Sequence, residues 1–243
     1  MSLSMCRRIF LLFLCGKEDQ MDYRHEWKYV LDLGSLLAIR QRLSAVAKRD
    51  PHATGGTYRI RSLYFDNAHD KVLREKIDGV NQREKFRIRY YNEDPSFIRL
   101  EKKSKVNGLC RKESAVLQRE QVQALLDGDD SWMLAGGDEL VKELYVKMRK
   151  QMLRPKVIVD YEREPFVYAP GNVRVTLDTN IRTGMRGEEF LNPSAVTLPA
   201  GEAPAVLEIK WDEFLPDVIR DAVRTGGCSA GAFSKYAACR IYG

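Results

Sequence analysis

The segment Arg83-Glu84-Lys85-Phe86-Arg87-Ile88-Arg89-Tyr90 carries a cation at every second position. Successive side chains of a strand point to opposite faces. Arg83, Lys85, Arg87 and Arg89 therefore share one face, and Phe86, Ile88 and Tyr90 the other. The alternation recurs along the chain. Arg24, Glu26 and Lys28 stand opposite Trp27 and Tyr29, and Arg99, Glu101, Lys103 and Lys105 share a face. Tyr161 pairs with Arg163; Arg174, Thr176 and Asp178 oppose Val173, Val175 and Leu177; Glu208 and Lys210 alternate with Leu207, Ile209 and Trp211. One such strand is what any half-solvated sheet shows. A whole set with mostly cationic faces is different, because like charges side by side on a sheet repel and stability alone would mix the signs. A bound polyanion removes that conflict, so the pattern points to a concave, charged face that grips a linear chain of phosphates.

Glu26, Glu101 and Glu208 each lie two residues before a lysine and so face the same way as the cations. Phosphate chains arrive with divalent cations, and hard oxygen ligands hold Mg²⁺ or Mn²⁺. Glu208 is the favoured metal ligand; Glu26 and Glu101 fit equally well as salt-bridge partners of the lysines. Other chemistries find no support. The chain has no phosphate-binding Gly-x-x-x-x-Gly-Lys loop, no Gly-x-Ser-x-Gly elbow and no His-Glu-x-x-His helix. Cys6, Cys15, Cys110, Cys228 and Cys239 form no Cys-x-x-Cys pair, which argues for reduced thiols and a cytoplasmic protein. Cys110 and Cys228 read as buried structural thiols rather than nucleophiles. His25 is expected to face away from the cations and Asp66 to serve a turn. Trp27, Tyr90 and Trp211 are expected to pack outside, under helices. Aromatics opposite the cationic faces cannot stack on bases there, which argues against nucleic acid as the partner.

These faces need elements to position them. The 243 residues are 44% hydrophobic and 30% charged, an ordinary globular composition, and the net charge of +6 is compatible with a polyanionic ligand. Residues 1–21, with Arg7-Arg8 before the short apolar run Ile9 to Cys15, are too brief in their apolar part to span a bilayer. They are expected to be a leader outside the fold, with Met21 as a natural start and 22–243 as one domain. Periodicity predicts strands over 23–31, 57–65, 83–91, 97–105, 110–117, 156–164, 173–178 and 205–211, and helices over 34–46, 120–126, 138–153, 215–223 and 233–241. Pro155 is expected to end the third of these helices. The sum is an α+β protein on an antiparallel sheet or barrel, with no membrane span.

Several motifs then occur in order: Arg24-His25-Glu26-Trp27-Lys28-Tyr29, Ser62-Leu63-Tyr64-Phe65-Asp66, Lys85-Phe86-Arg87-Ile88-Arg89-Tyr90-Tyr91, Leu100-Glu101-Lys102-Lys103 and Arg111-Lys112-Glu113. Tyr161-Glu162-Arg163, Arg174-Val175-Thr176-Leu177-Asp178, Val206-Leu207-Glu208-Ile209-Lys210 and Phe233-Ser234-Lys235-Tyr236 follow. From Tyr23 onward the chain resembles the VTC (vacuolar transporter chaperone) domain, the polyphosphate polymerase branch of the CYTH-like triphosphate tunnel metalloenzymes. The resemblance implies an antiparallel, eight-stranded, tunnel-like β-barrel with helices packed outside. It also implies transfer of the terminal phosphate of ATP onto polyphosphate with Mn²⁺ or Mg²⁺. Lys28, Arg87, Arg89, Lys103, Lys112, Arg174 and Lys235 would contact phosphates, and Glu208 would hold the metal. Arg24, Glu26, Lys85, Glu101, Arg163 and Lys210 would complete the binding face. One position departs: Ala232 stands where the family's eukaryotic pattern has a second lysine. A metal-dependent tri- or polyphosphatase and a non-catalytic polyphosphate-binding module are the alternatives.

Overall fold

The computed structural model describes residues 24–51, 53–107, 109–203, 205–226, 231 and 233–241. The leader, Cys228 and Ala232 lie outside the described residues. In chain order the elements are β1 (His25–Leu31), α1 (Leu33–Val46), β2 (Lys48–Arg49), β3 (Tyr58–Asp66), α2 (Lys71–Ile77), β4 (Arg83–Tyr91), β5 (Asp94–Val106) and β6 (Leu109–Leu117). There follow α3 (Arg119–Leu126), α4 (Trp132–Ala135), α5 (Glu139–Gln151), β7 (Arg154–Tyr168), β8 (Val173–Gly184), β9 (Leu198–Pro199), β10 (Ala205–Trp211), α6 (Asp217–Ala222) and α7 (Lys235–Ile241).

The main path of the sheet runs β1-β10-β8-β7-β3-β4-β5-β6, with β2 beside β7 and β9 beside β8, and its pairings are antiparallel. The sheet is curled. Lys103 on β5 comes within 3.9 Å of Glu26 on β1, although the two strands lie near opposite ends of the path. The eight strands of that path match the number expected, but the closure does not. Among the described residues no backbone ladder joins β1 to β6, so the sheet is an open trough whose seam is approached by side chains rather than a hydrogen-bonded barrel.

Period-two alternation decides which side of the trough is oily. Outward residues Phe86, Ile88, Tyr90, Ile98 and Leu100 are buried under α3, α4 and α5, together with Val122, Met133 and Leu144. Val175, Leu177, Leu207, Ile209 and Trp211 are buried with Leu36, Ile39 and Leu43 of α1 and Ile219 of α6. Removal of this apolar surface from water is the main force holding the helices to the sheet. Tyr90 and Trp211 thus sit where the pattern puts them, but Trp27 does not. It is 37% exposed and makes an edge contact with Trp211, ring centroids 4.7 Å apart. His25 stacks on Trp211 and faces away from the trough.

A third apolar cluster lies on the inner side. Ile60, Tyr64, Val157, Val159 and Tyr161 pack with Val72 of α2 and with Tyr236 and Cys239 of α7, so these two helices fill one end of the trough. The short helices α2 and α4 have no counterpart among the helices that periodicity predicts. Asp66 is a turn residue that also ties elements together. Its carboxylate accepts from the backbone N–H of Asn67, Val72 and Leu73 and from the Tyr236 hydroxyl. Helix α5 ends before Pro155 can act on it. Met152 adopts a left-handed conformation (φ 56°), and Pro155 lies inside β7, opposite Phe65 at an irregularity of the ladder.

Candidate active site

The inner face is built by ladder register. Across β4 and β5, Arg87 lies opposite Glu101 and Lys85 opposite Lys103. Across β5 and β6, Lys103 lies opposite Lys112. Across β1 and β10, Glu26 lies opposite Lys210 and Lys28 opposite Glu208. Across β7 and β8, Arg163 lies opposite Asp178. Each pair is a nearest-neighbour contact that the pleat aims inward.

Arg87 is fixed from two sides. Its Nε donates to Glu101 Oε2 at 2.8 Å, its Nη2 lies 2.6 Å from the same oxygen, and its Nη1 donates to the Tyr64 hydroxyl at 2.7 Å. Arg89 donates to Ser62 Oγ at 3.0 Å and to the Tyr161 hydroxyl at 3.1 Å. Glu101, 2% exposed, also lies 2.7 Å from Lys112 Nζ. It is a counter-ion that orients the cations. Burial would raise its carboxyl, but Arg87, Arg89 and Lys112 hold it well below the usual carboxylate range.

A second group surrounds Glu208. Lys210 Nζ is 2.9 Å away, Arg163 Nη2 3.5 Å and Lys28 Nζ 3.9 Å. Lys28 also reaches Glu26 at 3.1 Å, and Lys210 reaches Glu26 at 3.4 Å. Burial opposes ionisation of Glu208, yet its contact with Glu26 and the charges of Lys210, Lys28 and Arg163 hold it well below the usual range. Beside this pair, Arg163 grips Asp178 with both arms at 2.6 and 2.7 Å, and Lys235 at the start of α7 lies 2.6 Å from the same carboxylate.

Lys28, Arg87, Arg89, Lys103, Lys112, Arg163, Lys210 and Lys235 are thus brought together, with Lys85 on the same face. They outnumber Glu26, Glu101, Asp178 and Glu208, so the trough keeps uncompensated positive charge. Guanidinium forks suit bidentate phosphate binding, and ammonium groups act as point charges. Glu26 and Glu208 form a pair of carboxylates with oxygens that a hard divalent cation favours; phosphate oxygens and water would complete its shell. Among the described residues no three His, Cys, Asp or Glu side chains gather as a self-sufficient metal cage.

Two expected binders are engaged by local acceptors, although the ladder places Arg174 directly opposite Lys210. Arg24 turns to Asp212 at 2.7 Å and to the Asn172 carbonyl, beyond the end of the inner face. Arg174 turns to Asp50 at 2.9 Å and the Tyr58 hydroxyl at 3.0 Å. In both cases a local acceptor near the strand end captures the guanidinium, which strand alternation cannot foresee. Cys110 is exposed rather than buried; Cys239 is buried, and burial pushes its thiol up to about 12. The site also contains Tyr64, Ser62 and Asp178, which the charge pattern does not single out as binders. Ser62 and Tyr64 carry the same period-two signal as the cations but no charge to draw attention to it.

Tyr64 and Lys85 give the trough a pH dependence. Burial would raise the Tyr64 phenol, but Arg87, Lys85 and Arg89 outweigh it and bring the group to about 7. Burial, with Arg87, Lys103 and Lys28, lowers the Lys85 ammonium to about 8. A bound anion favours the protonated form of both groups. Affinity for inorganic tripolyphosphate is therefore expected to be full below about pH 7 and to fall as pH rises through 7 and 8. Calorimetry in buffers of different ionisation enthalpy would report proton uptake between pH 7 and 8; binding without uptake would contradict this assignment.

The profile of the VTC domain family matches residues 23–241. No curated protein matches the chain. Among solved structures, an adenylyl cyclase candidate from Hippeastrum, described as having a dominant triphosphatase activity, is 13% identical with a TM-score of 0.53. The alignment covers 91% of this chain and 96% of that one. An adenylate cyclase candidate from Bacillus halodurans is 13% identical with a TM-score of 0.45, covering 78% of this chain and 80% of that one.

Proposed function

The chain belongs to the VTC domain family, and on that premise we propose that it is a polyphosphate polymerase-like enzyme that transfers the terminal phosphate of ATP onto a polyphosphate chain. The observation that carries this reading is the inward excess of cations around the carboxylate pair Glu26 and Glu208.

In this reaction a terminal oxygen of polyphosphate attacks the γ-phosphorus of ATP. The new P–O bond lengthens the polymer by one phosphate, the bond to the β-phosphate oxygen breaks, and ADP leaves. The attacking oxygen belongs to an already anionic phosphate, so no side chain has to remove a proton. Arg87, Arg89 and Arg163 would hold phosphate oxygens with planar forks. Lys28, Lys103, Lys210 and Lys235 would neutralise charge as it shifts toward the leaving group. Lys112, Lys85 and Glu101 support that set, Glu101 by orienting Arg87. Mg²⁺ or Mn²⁺ would be held by Glu208, with Glu26 beside it, and would supply further neutralisation of phosphate charge.

The second reading is a metal-dependent triphosphatase, in which water replaces the polymer end. The triphosphatase activity of the Hippeastrum protein, which shares this fold, keeps that reading in play. Incubation with ATP and Mn²⁺, with separate assays of polyphosphate, ADP and free phosphate, decides between them. Polyphosphate appearing with ADP, and lost in Glu208→Ala, is the expected result. Free phosphate without polymer would move the assignment to hydrolysis. Binding without turnover would leave a polyphosphate-binding module.

A further inference from the structure

At the end of the trough where β1 and β8 begin, the structure holds a cavity of about 500 Å³, a size that suits a small molecule. Its walls come from the end of α1, from β2, and from the end of β7 with the turn into β8. Val46, Val167, Tyr168 and Pro170 make those walls apolar, and the cations Lys48 and Arg174 line the cavity with them. The turn is held in place. Gly171 takes φ 72°, and a Cβ there would run into the Phe214 carbonyl. The Gly171 carbonyl accepts from the Asp212 N–H at 3.1 Å, and Asn172 Nδ2 donates to Asp212 Oδ2 at 2.8 Å. This wall is preformed, so a ligand does not have to order it.

Arg174 links the cavity to the carboxylate pair. Asp50 and the Tyr58 hydroxyl both accept from its Nη2, which fixes the plane of the guanidinium. Its Nε is buried without a hydrogen-bond partner among the described residues, and so is Thr176 Oγ1, two positions along the same strand face. Two buried donors on one face are thus left to an acceptor from outside the chain. Arg174 lies opposite Lys210 and Thr176 opposite Glu208, and Lys210 in turn lies opposite Glu26. Two strand steps of ~4.8 Å therefore separate Arg174 from Glu26, which matches the reach of a triphosphate from its sugar to its last phosphorus.

We propose that this cavity seats the nucleoside of the donor triphosphate, with the base against Tyr168 and the valines and the first phosphate beside Arg174 and Lys48. Tyr168 offers a flat face to a flat ring, and the Arg174 fork suits the oxygens of a phosphate. An inorganic phosphate chain has the charge but lacks the ring. The cavity so distinguishes the nucleotide donor from the polymeric acceptor, which a field of cations alone cannot do.

This inference rests on the phosphotransfer reading and adds to it the place of the nucleoside, so its test compares two ligands at equilibrium. The ATP analogue with an imido bridge between its β- and γ-phosphates and inorganic tripolyphosphate would each be titrated, with Mg²⁺, into the wild type and two variants. Tyr168→Ala removes the ring face. Tyr168 also packs on the apolar cluster under α1, so Ala169→Trp, at an exposed position of the same wall, is the second variant and fills the cavity without altering that cluster. Each variant is expected to bind the ATP analogue about tenfold more weakly, the scale of one lost base contact, and tripolyphosphate within about twofold of the wild type. Equal loss for both ligands, or no loss for either, would overturn the cavity, as would a wild type that binds tripolyphosphate but not the analogue. A wild type that binds neither ligand would instead overturn the phosphate-binding reading beneath it.

Discussion

Replacing Arg87 by alanine is expected to lower kcat/KM for ATP by roughly 10²- to 10³-fold, the usual cost of removing one preorganised donor to a developing charge. The size follows from how tightly the side chain is held. Glu101 takes two of its arms and Tyr64 the third, so the remaining N–H groups do not have to be ordered on binding. Arg87→Lys would keep the charge and lose the fork. It should recover only part of the activity while binding polyphosphate nearly as well, because binding depends mostly on total charge. Steady-state kinetics beside equilibrium binding would separate the two effects. If Arg87→Lys turned over ATP at the wild-type rate, the fork geometry would have no role and the trough would act as a charge field alone.

The second large effect is on stability. Glu101→Gln removes the carboxylate that Arg87, Arg89 and Lys112 share, leaving buried guanidinium groups facing one another. A cost of about 3 kcal/mol is expected, as for breaking a buried ion pair from one side. Two features distinguish this loss from ordinary core damage. Saturating polyphosphate should restore much of the stability, because it replaces the lost negative charge and binds only the folded state. The acid limb should also change. Glu101 has a folded-state pKa held below the unfolded value of about 4.3. Its contribution is therefore present above that pH and lost as pH falls through it toward the folded value. The glutamine variant lacks that group, so its stability should fall less steeply between about pH 5 and 3. Denaturant titrations across this range, with and without polyphosphate, would read both. A variant as stable as the wild type, or one that polyphosphate fails to rescue, would contradict the counter-ion role.

The features legible in the order of residues are those that repeat every two positions. Phe86, Ile88 and Tyr90 are buried outward and Lys85, Arg87 and Arg89 point inward, because the pleat of a strand is a local property that its own residues specify. The carboxylate next to each cation is not local. Glu101 meets Lys112, and Arg163 meets Asp178, only because β5 lies beside β6 and β7 beside β8 in one particular register. Lys235 meets Asp178 because the chain returns at its far end to place α7 in the trough. The same long-range assembly pairs Arg24 and Arg174 with local carboxylates, by presenting Asp212 and Asp50 at the strand ends. It leaves the seam between β1 and β6 without a ladder, and it brings Lys76 beside Arg83 on a helix whose short apolar pattern gives little warning of itself. Alternation therefore dictates which faces are charged. The assembled fold selects which of those charges remain unneutralised, because a charge is neutralised by its neighbours in space, and register and curvature choose those neighbours.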